Sequence, residues 1–362
     1  MQQIRALVVE EPGKIRMKKF PRPAISEDDA LLKVIKTGIC ASDPHFFRGE
    51  VERRRNFPLI LGHEMVGTID EIGDRASKRW GVVEGDTVIV ETSFGCGHCE
   101  MCLSGKHRLC KSSLGYGCKV SSNVPPYLWG AYSEFMYLHP NAVVHKITDL
   151  NPEVASLICS VISNGIRWVE SVGGVSMGDT VVIQGVGAQG LVSIAAAKEL
   201  GAQKIIATGL SRDDYRFEVA KRMGADYLIN VEKNNAVKVV EEITDGKMAD
   251  LVVDVTGAAS ATEMSINLVK ALGTVVLAGI NGGKTINIVS DEIAWKEIKI
   301  HGAYSYDYQS VLKGIKLAQS HKYPFEEIIT HEFGFEDVEK ALKMAAGEIE
   351  ASNFIKGSLV PR

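Results

Sequence analysis

The sequence predicts an α/β chain of two domains, a mainly-β part in its first third and a doubly wound parallel sheet after it. Three observations predict this. At 362 residues the chain is longer than one hydrophobic core ordinarily fills. Up to about Asn151 the apolar residues come in short runs broken by glycine and proline, with no long amphipathic helix. Beyond that point β-branched runs alternate with segments of helical period, the pattern of strands each followed by a helix.

In the first part, residues 30–35, 66–72 and 86–91 read as strands. In the second, residues 180–184 are a continuous β-branched run, as expected of a parallel strand buried on both faces. Helical spacing over 188–200 follows, then a strand at 204–208, a helix at 215–223 and a buried strand at 249–255. A helix at 259–271 and a strand at 273–280 complete the pattern. Past about His301 the alternation fades into a tail with one helix, 338–346, too small for its own core and expected to pack on the first domain. The expected division is therefore 1–158, 159–300 and a return segment, 301–356. The ending Leu359-Val360-Pro361-Arg362 matches a protease-site tag, so 357–362 is read as a tag remnant outside the fold.

Composition narrows the function. A charged fraction of 24% and net charge of -4 leave no concentrated basic face for nucleic acid. The basic run Arg53, Arg54 and Arg55 reads as a solvated loop. No uninterrupted apolar window of about eighteen residues exists, so no membrane span is expected. The first residues read as a strand, not a signal peptide, so a cytoplasmic protein is expected.

Gly185-Val186-Gly187-Ala188-Gln189-Gly190 lies between the strand at 180–184 and a helix. The spacing suits a dinucleotide: a tight turn, close backbone approach to pyrophosphate, and close helix–strand packing. The free amides and dipole of the helix N-terminus attract the anion. The motif alone is weak; in this strand–turn–helix context it is strong. The next strand should end in an acid for the adenosine ribose, but Gly209 stands there, followed by Ser211 and Arg212. Those two suit a 2′-phosphate, since a guanidinium matches phosphate geometry. Asp213 and Asp214 follow, and either could take the ribose instead. NADP is favoured over NAD, which stays open.

Seven cysteines, unevenly spaced and without a secretion signal, argue for metal binding over disulfides. Cys96, Cys99, Cys102 and Cys110 crowd one polar loop, a set suited to a closed tetrahedral zinc site. An iron–sulfur cluster is the other use of four cysteines. His98 and Cys118 are read as non-ligands.

A third group is Cys40-Ala41-Ser42-Asp43-Pro44-His45, Gly62-His63-Glu64, and Cys159 at the entry to the nucleotide-binding region. Singly, such residues are more often structural. In this order, with the lobe cysteines and the glycine turn, they resemble the zinc-containing medium-chain alcohol dehydrogenases over residues 1 to about 356. The resemblance implies a GroES-like catalytic domain and an inserted Rossmann domain. It implies a catalytic zinc on Cys40, His63 and Cys159, with Glu64 able to approach the metal, and a second, structural zinc on the four lobe cysteines. Asp43 would orient the histidine ligand, and Ser42 and His45 would relay the proton. Ser160 could be drawn at the third-ligand position, but a neutral hydroxyl is a poor zinc ligand beside a thiol. The following Asn164-Gly165-Ile166 departs from the commonest family pattern.

The implied activity is reversible hydride transfer between an alcohol, expected to be a secondary alcohol or polyol, and NAD(P)+. A homodimer or homotetramer is expected. One rival reading is a zinc-ribbon binding module, opposed by the glycine turn. The other is a zinc-independent quinone reductase-like or non-catalytic dinucleotide-binding relative, opposed by Cys40 and His63. Phe46, Phe47, Trp129 and Tyr304 are pocket candidates, and residues 123–129 read as an insertion at the cleft or on the surface.

Overall fold

In the computed structural model, which describes residues 2–51 and 56–362, the chain divides into two compact units. One comprises residues 1–160 and 329–362, the other 161–328. The arginine run Arg53, Arg54 and Arg55 lies outside the described residues.

The first unit is mainly β. Gln3–Glu11 and Lys14–Pro21 form an antiparallel hairpin, with Leu59–Ile60 on its other side. A second sheet runs in the order Val144–Lys146, Thr87–Val90, Met65–Ile72, Ala30–Gly38, Lys356–Leu359, Ile329–Phe333. Phe135–Leu138 also pairs with Ala30–Gly38. Leu31, Leu32, Met65, Ile69, Val88 and Tyr132 are among its buried core residues. Burying each such apolar side chain stabilises the fold by about 1.5–3 kcal/mol, and this core seats the turns that carry the polar site. The helix Val338–Ala345 joins the same core through Val338, Ala341 and Leu342, as expected of the tail.

The tag reading of 357–362 is corrected. Lys356–Leu359 is a strand bonded on both sides, parallel to Ile329–Phe333 and antiparallel to Ala30–Gly38. Ser358 and Leu359 are fully buried. Removing such a strand would orphan the backbone groups of both neighbours.

The second unit holds a six-stranded parallel sheet in the order Tyr227–Asn230, Lys204–Gly209, Thr180–Gln184, Ala249–Asp254, Val269–Leu277, Lys299–Gly302. In chain order this is 3-2-1-4-5-6, the doubly wound nucleotide-binding arrangement. Its central strands are buried on both faces, which explains their unbroken apolar sequence. The boundary at 300 is corrected: the unit runs on to Ile328. The helix Tyr308–Gln319 was missed, although Asp307 caps it by accepting from the Ser310 amide and buries Val311 and Leu317 on one side. Among the described residues, no helix is long and apolar enough to cross a membrane.

Candidate active site

Cys40 follows the strand Ala30–Gly38 and opens a tight turn. The Asp43 amide donates to the Cys40 carbonyl at 3.0 Å, and the Cys40 amide returns a bond to Asp43 Oδ2 at 2.9 Å. His63 and Glu64 lie just before the neighbouring strand Met65–Ile72. One ligand atom each from Cys40, His63 and Glu64 lie within 4.8 Å of one another. Asp43 is fully buried behind them, its Oδ1 3.4 Å from His63 Nδ1.

This arrangement fits a metal cation. Both carboxylate oxygens of Glu64 are buried with no hydrogen-bond partner among the described residues, a costly state unless something else satisfies such groups. Burial alone would disfavour a charged His63 ring. The Asp43 carboxylate and Cys40 thiol outweigh burial and hold its pKa well above the usual value. A pocket that pulls its imidazole toward the cationic form is one where positive charge is favoured. Thiolate, imidazole and carboxylate together make a catalytic zinc donor set.

Cys159 does not join the group, contrary to expectation. The helix Pro152–Leu157 passes into a π-helical stretch, Ile158–Ile162, which sets the side chain's direction. Burial pushes the Cys159 thiol well up, and the Glu91 and Glu64 carboxylates add to this. Ser160 Oγ instead meets Thr92 Oγ1 at 3.4 Å, and Thr92 Oγ1 donates to the His63 carbonyl at 2.9 Å.

Two further residues were not foreseen. The Tyr132 hydroxyl donates to Asp43 Oδ2 at 3.0 Å and is fully buried. Lys356, on the strand first read as the chain's last useful residue, places Nζ 2.6 Å from Glu64 Oε2.

Ser42 Oγ donates to Cys40 Sγ at 3.2 Å. His45, one turn on, is exposed and pairs through Nδ1 with Glu50. Phe46 sets its ring edge-on to His63, 6.2 Å between centroids. Phe47 packs partly into the core. Trp129 is buried there too, its Nε1 donating to the Val124 carbonyl, so it is a core residue and not a pocket candidate. Tyr304 is exposed in the second unit.

The lobe cysteines converge as expected. All four sulfurs lie within 4.8 Å of one another, with Cys96–Cys102 at 4.0 Å and Cys99–Cys110 at 3.7 Å. A tetrahedron with zinc–sulfur bonds of about 2.3 Å has edges of about 3.8 Å, so the set fits zinc. Amides of His98 and Cys99 directed at Cys96 lower its pKa to about 6, favouring thiolate. His98 is exposed and Cys118 lies outside the group, in line with both being non-ligands.

In the second unit Gly185 adopts φ +99°, and a Cβ on Gly190 would fall 1.8 Å from the Gly185 carbonyl oxygen. Only glycine permits that turn. Ala188–Glu199 starts directly after it, with Gly187 at its N-cap. A Cβ on Gly187 would meet nothing within 4 Å, so the turn is open where a pyrophosphate would approach. Gln189 sits in the first helical turn. At the ribose end, a Cβ on Gly209 would collide with Phe217 and Val186. Arg212 is exposed, and the Ser211 amide donates to Glu232 Oε2 at 2.7 Å. Asp213 is engaged by the Leu210 amide and by Arg216, each at 2.9 Å. Asp214 begins the following helix. Glu232, missed in sequence because it belongs to the turn after the next strand, brings a carboxylate to this corner.

Comparison with known proteins agrees with this geometry. Residues 26–149 match the alcohol dehydrogenase GroES-like domain family, and 188–320 match the zinc-binding dehydrogenase family. The chain is 37% identical over 366 residues to a Mycobacterium tuberculosis protein named "Probable alcohol dehydrogenase", covering 99% of this chain and 98% of that one. It is 31% identical to the erythritol/L-threitol dehydrogenase of Mycolicibacterium smegmatis, covering 99% and 98%. The crystal structure of an alcohol dehydrogenase from Thermotoga maritima superposes with a TM-score of 0.89 at 26% identity, covering 100% of both chains.

Proposed function

The chain belongs to the zinc-containing medium-chain alcohol dehydrogenases, and from that premise we propose how its own residues divide the reaction. The observation that carries the reading is the convergence of Cys40, His63 and Glu64 on one buried point backed by Asp43. These three would hold the catalytic zinc, which when bound acts as a Lewis acid and lowers the pKa of an alcohol. Asp43, itself fixed by Tyr132 and the Cys40 amide, sets the direction of the His63 ring. Ser42 accepts the hydroxyl proton and His45 passes it to solvent, with Glu50 orienting the ring. A nicotinamide held at the glycine turn would supply the hydride chemistry, and position and charge are the protein's part.

The substrate is a secondary alcohol or polyol, a reading supported by the relative that acts on erythritol and L-threitol. A panel of secondary alcohols, polyols and hydroxy acids, each with both cofactors, tests it. Highest efficiency on primary alcohols or hydroxy acids would overturn it.

NADP(H) is preferred over NAD(H). No acid ends the strand Lys204–Gly209, and an acid there would repel a 2′-phosphate. Arg212 is exposed and offers a planar pair of donors. Hydrogen bonds to charged groups contribute about 1.5–3 kcal/mol, so Arg212→Ala should lower the NADP/NAD efficiency ratio roughly ten- to a hundred-fold. Glu232 opposes this by occupying the Ser211 amide. An NAD preference unaffected by Arg212→Ala would assign the ribose to Glu232 instead.

The assembly is a homodimer or a homotetramer built from such dimers. Lys299–Gly302 is an exposed edge strand, with Ile300 on it and Trp295 exposed on the preceding helix. Unpaired edges beside apolar side chains invite pairing, and two copies close it by two-fold symmetry. Solution mass should be an even multiple of 39.4 kDa, and Ile300→Lys should shift it toward one chain. A monomeric wild-type protein would refute this.

A further inference from the structure

Asp254 ends the central strand Ala249–Asp254 and pairs in register with Gln184, the residue that enters the glycine turn. Its side chain is almost wholly buried. Oδ1 accepts from the Thr256 amide at 2.9 Å and from the Thr256 hydroxyl at 2.7 Å. Oδ2 accepts from the hydroxyl of Thr262, on the following helix, at 2.7 Å. The Thr256 hydroxyl in turn accepts from the Ala258 amide at 3.0 Å. The segment after the strand is thereby folded back on Asp254, and it reaches the glycine turn. A Cβ built on Gly185 would lie 3.0 Å from Thr256 Cγ2, and one built on Gly190 would lie 3.6 Å from Val255 Cγ2. On its other side the segment interlocks with the loop after the next strand. A Cβ on Gly279 would fall 2.2 Å from the Gly257 nitrogen, and the Asp254 carbonyl accepts from the Ala278 and Gly279 amides, each at 2.9 Å.

We propose that Asp254 is a positioning residue for the dinucleotide: it holds Thr256 against Gly185 and so fixes the turn that meets the pyrophosphate. The proposal rests on the reading of that turn as the dinucleotide site. Gly185 and Gly187 have no side chains with which to anchor the turn themselves, so its shape depends on what packs against it. A buried carboxylate is tolerated only where donors surround it, and here a backbone amide and two hydroxyls do so. Those bonds set the direction of Thr256 before any ligand arrives. A turn held in its binding shape spends less free energy on ordering when the cofactor binds. The effect of Asp254 therefore falls on cofactor affinity and not on the hydride step, which raises KM and leaves kcat alone.

The test begins with fluorescence titration of the wild-type enzyme with NADH and NADPH. Binding of neither refutes the dinucleotide site itself, whatever Asp254 does. Given binding, Asp254→Ala should weaken the preferred cofactor by about tenfold, the scale of one added ordering cost. KM for that cofactor should rise by the same factor, with kcat at saturation unchanged. Asp254→Asn keeps an oxygen for both Thr256 donors and offers an amide to the Thr262 hydroxyl, so it should bind cofactor as wild type does. Thr256→Ser keeps the hydroxyl that Asp254 and Ala258 use but removes the methyl that faces Gly185. It should weaken the cofactor while melting near wild type, a combination that a merely structural role would not produce. Should Asp254→Ala fail to fold, Thr256→Ser carries the test, because it leaves the buried bonds in place. Unchanged cofactor affinity in Thr256→Ser or in folded Asp254→Ala, or a loss in Asp254→Asn as large as in Asp254→Ala, would overturn the proposal.

Discussion

Replacing His63 by Ala is expected to leave a folded protein that has lost turnover, whereas replacing Cys99 by Ser should cost the fold of the lobe. The difference follows from the two donor sets. Cys96, Cys99, Cys102 and Cys110 offer four sulfurs and no open position, on a loop with little apolar core of its own. Binding free energy at such a closed site, about 10–16 kcal/mol in small zinc domains, is folding free energy. His63 sits instead beside a sheet core of many buried apolar residues. Its loss removes a ligand and leaves the Asp43 carboxylate without its partner ring. Lewis-acid stabilisation is worth several kcal/mol, so turnover should fall by at least about 10³-fold. Thermal unfolding with zinc counted per chain separates the cases. His63→Ala should retain one zinc and melt near wild type; Cys99→Ser should lose zinc from the lobe and melt earlier. A single zinc in active wild-type enzyme would overturn the assignment of two unequal sites.

Ser42→Ala should lower turnover by about 10²-fold or more, the usual scale for positioned proton transfer. His45→Gln should have a smaller effect, because its ring is exposed and water can replace it. Ser42 also donates to Cys40 Sγ, so zinc must be counted in the variant before the loss is assigned to proton transfer. Full zinc with slowed turnover across the pH range supports the relay. Normal turnover in Ser42→Ala would mean that the alcohol proton leaves by another route.

Most of the second unit was legible in the sequence, because buried parallel strands and their helices have unambiguous periods. Strand ends moved by a few residues, as at 273–280, where pairing with Ala249–Asp254 starts the strand at Val269. The helix Tyr308–Gln319 was missed although Tyr308, Val311, Leu312, Ile315 and Ala318 recur at helical spacing. Gly209 is glycine because Phe217 and Val186 fill its space, and Trp129 is a core residue.

By itself the sequence determined the two-part α/β architecture, the lobe cysteines, Cys40 with His63, and the glycine turn. All of these are local patterns in which spacing along the chain is spacing in the site. Only the tertiary structure decided that Glu64 converges with Cys40 and His63, that Tyr132 holds Asp43, that Glu232 reaches the Ser211 amide, and that Lys356 returns from the last strand to Glu64. The physical reason is common to all four. A one-residue change of helical phase, or a pairing between strands far apart in the chain, turns a side chain toward or away from a site, and no local period records which.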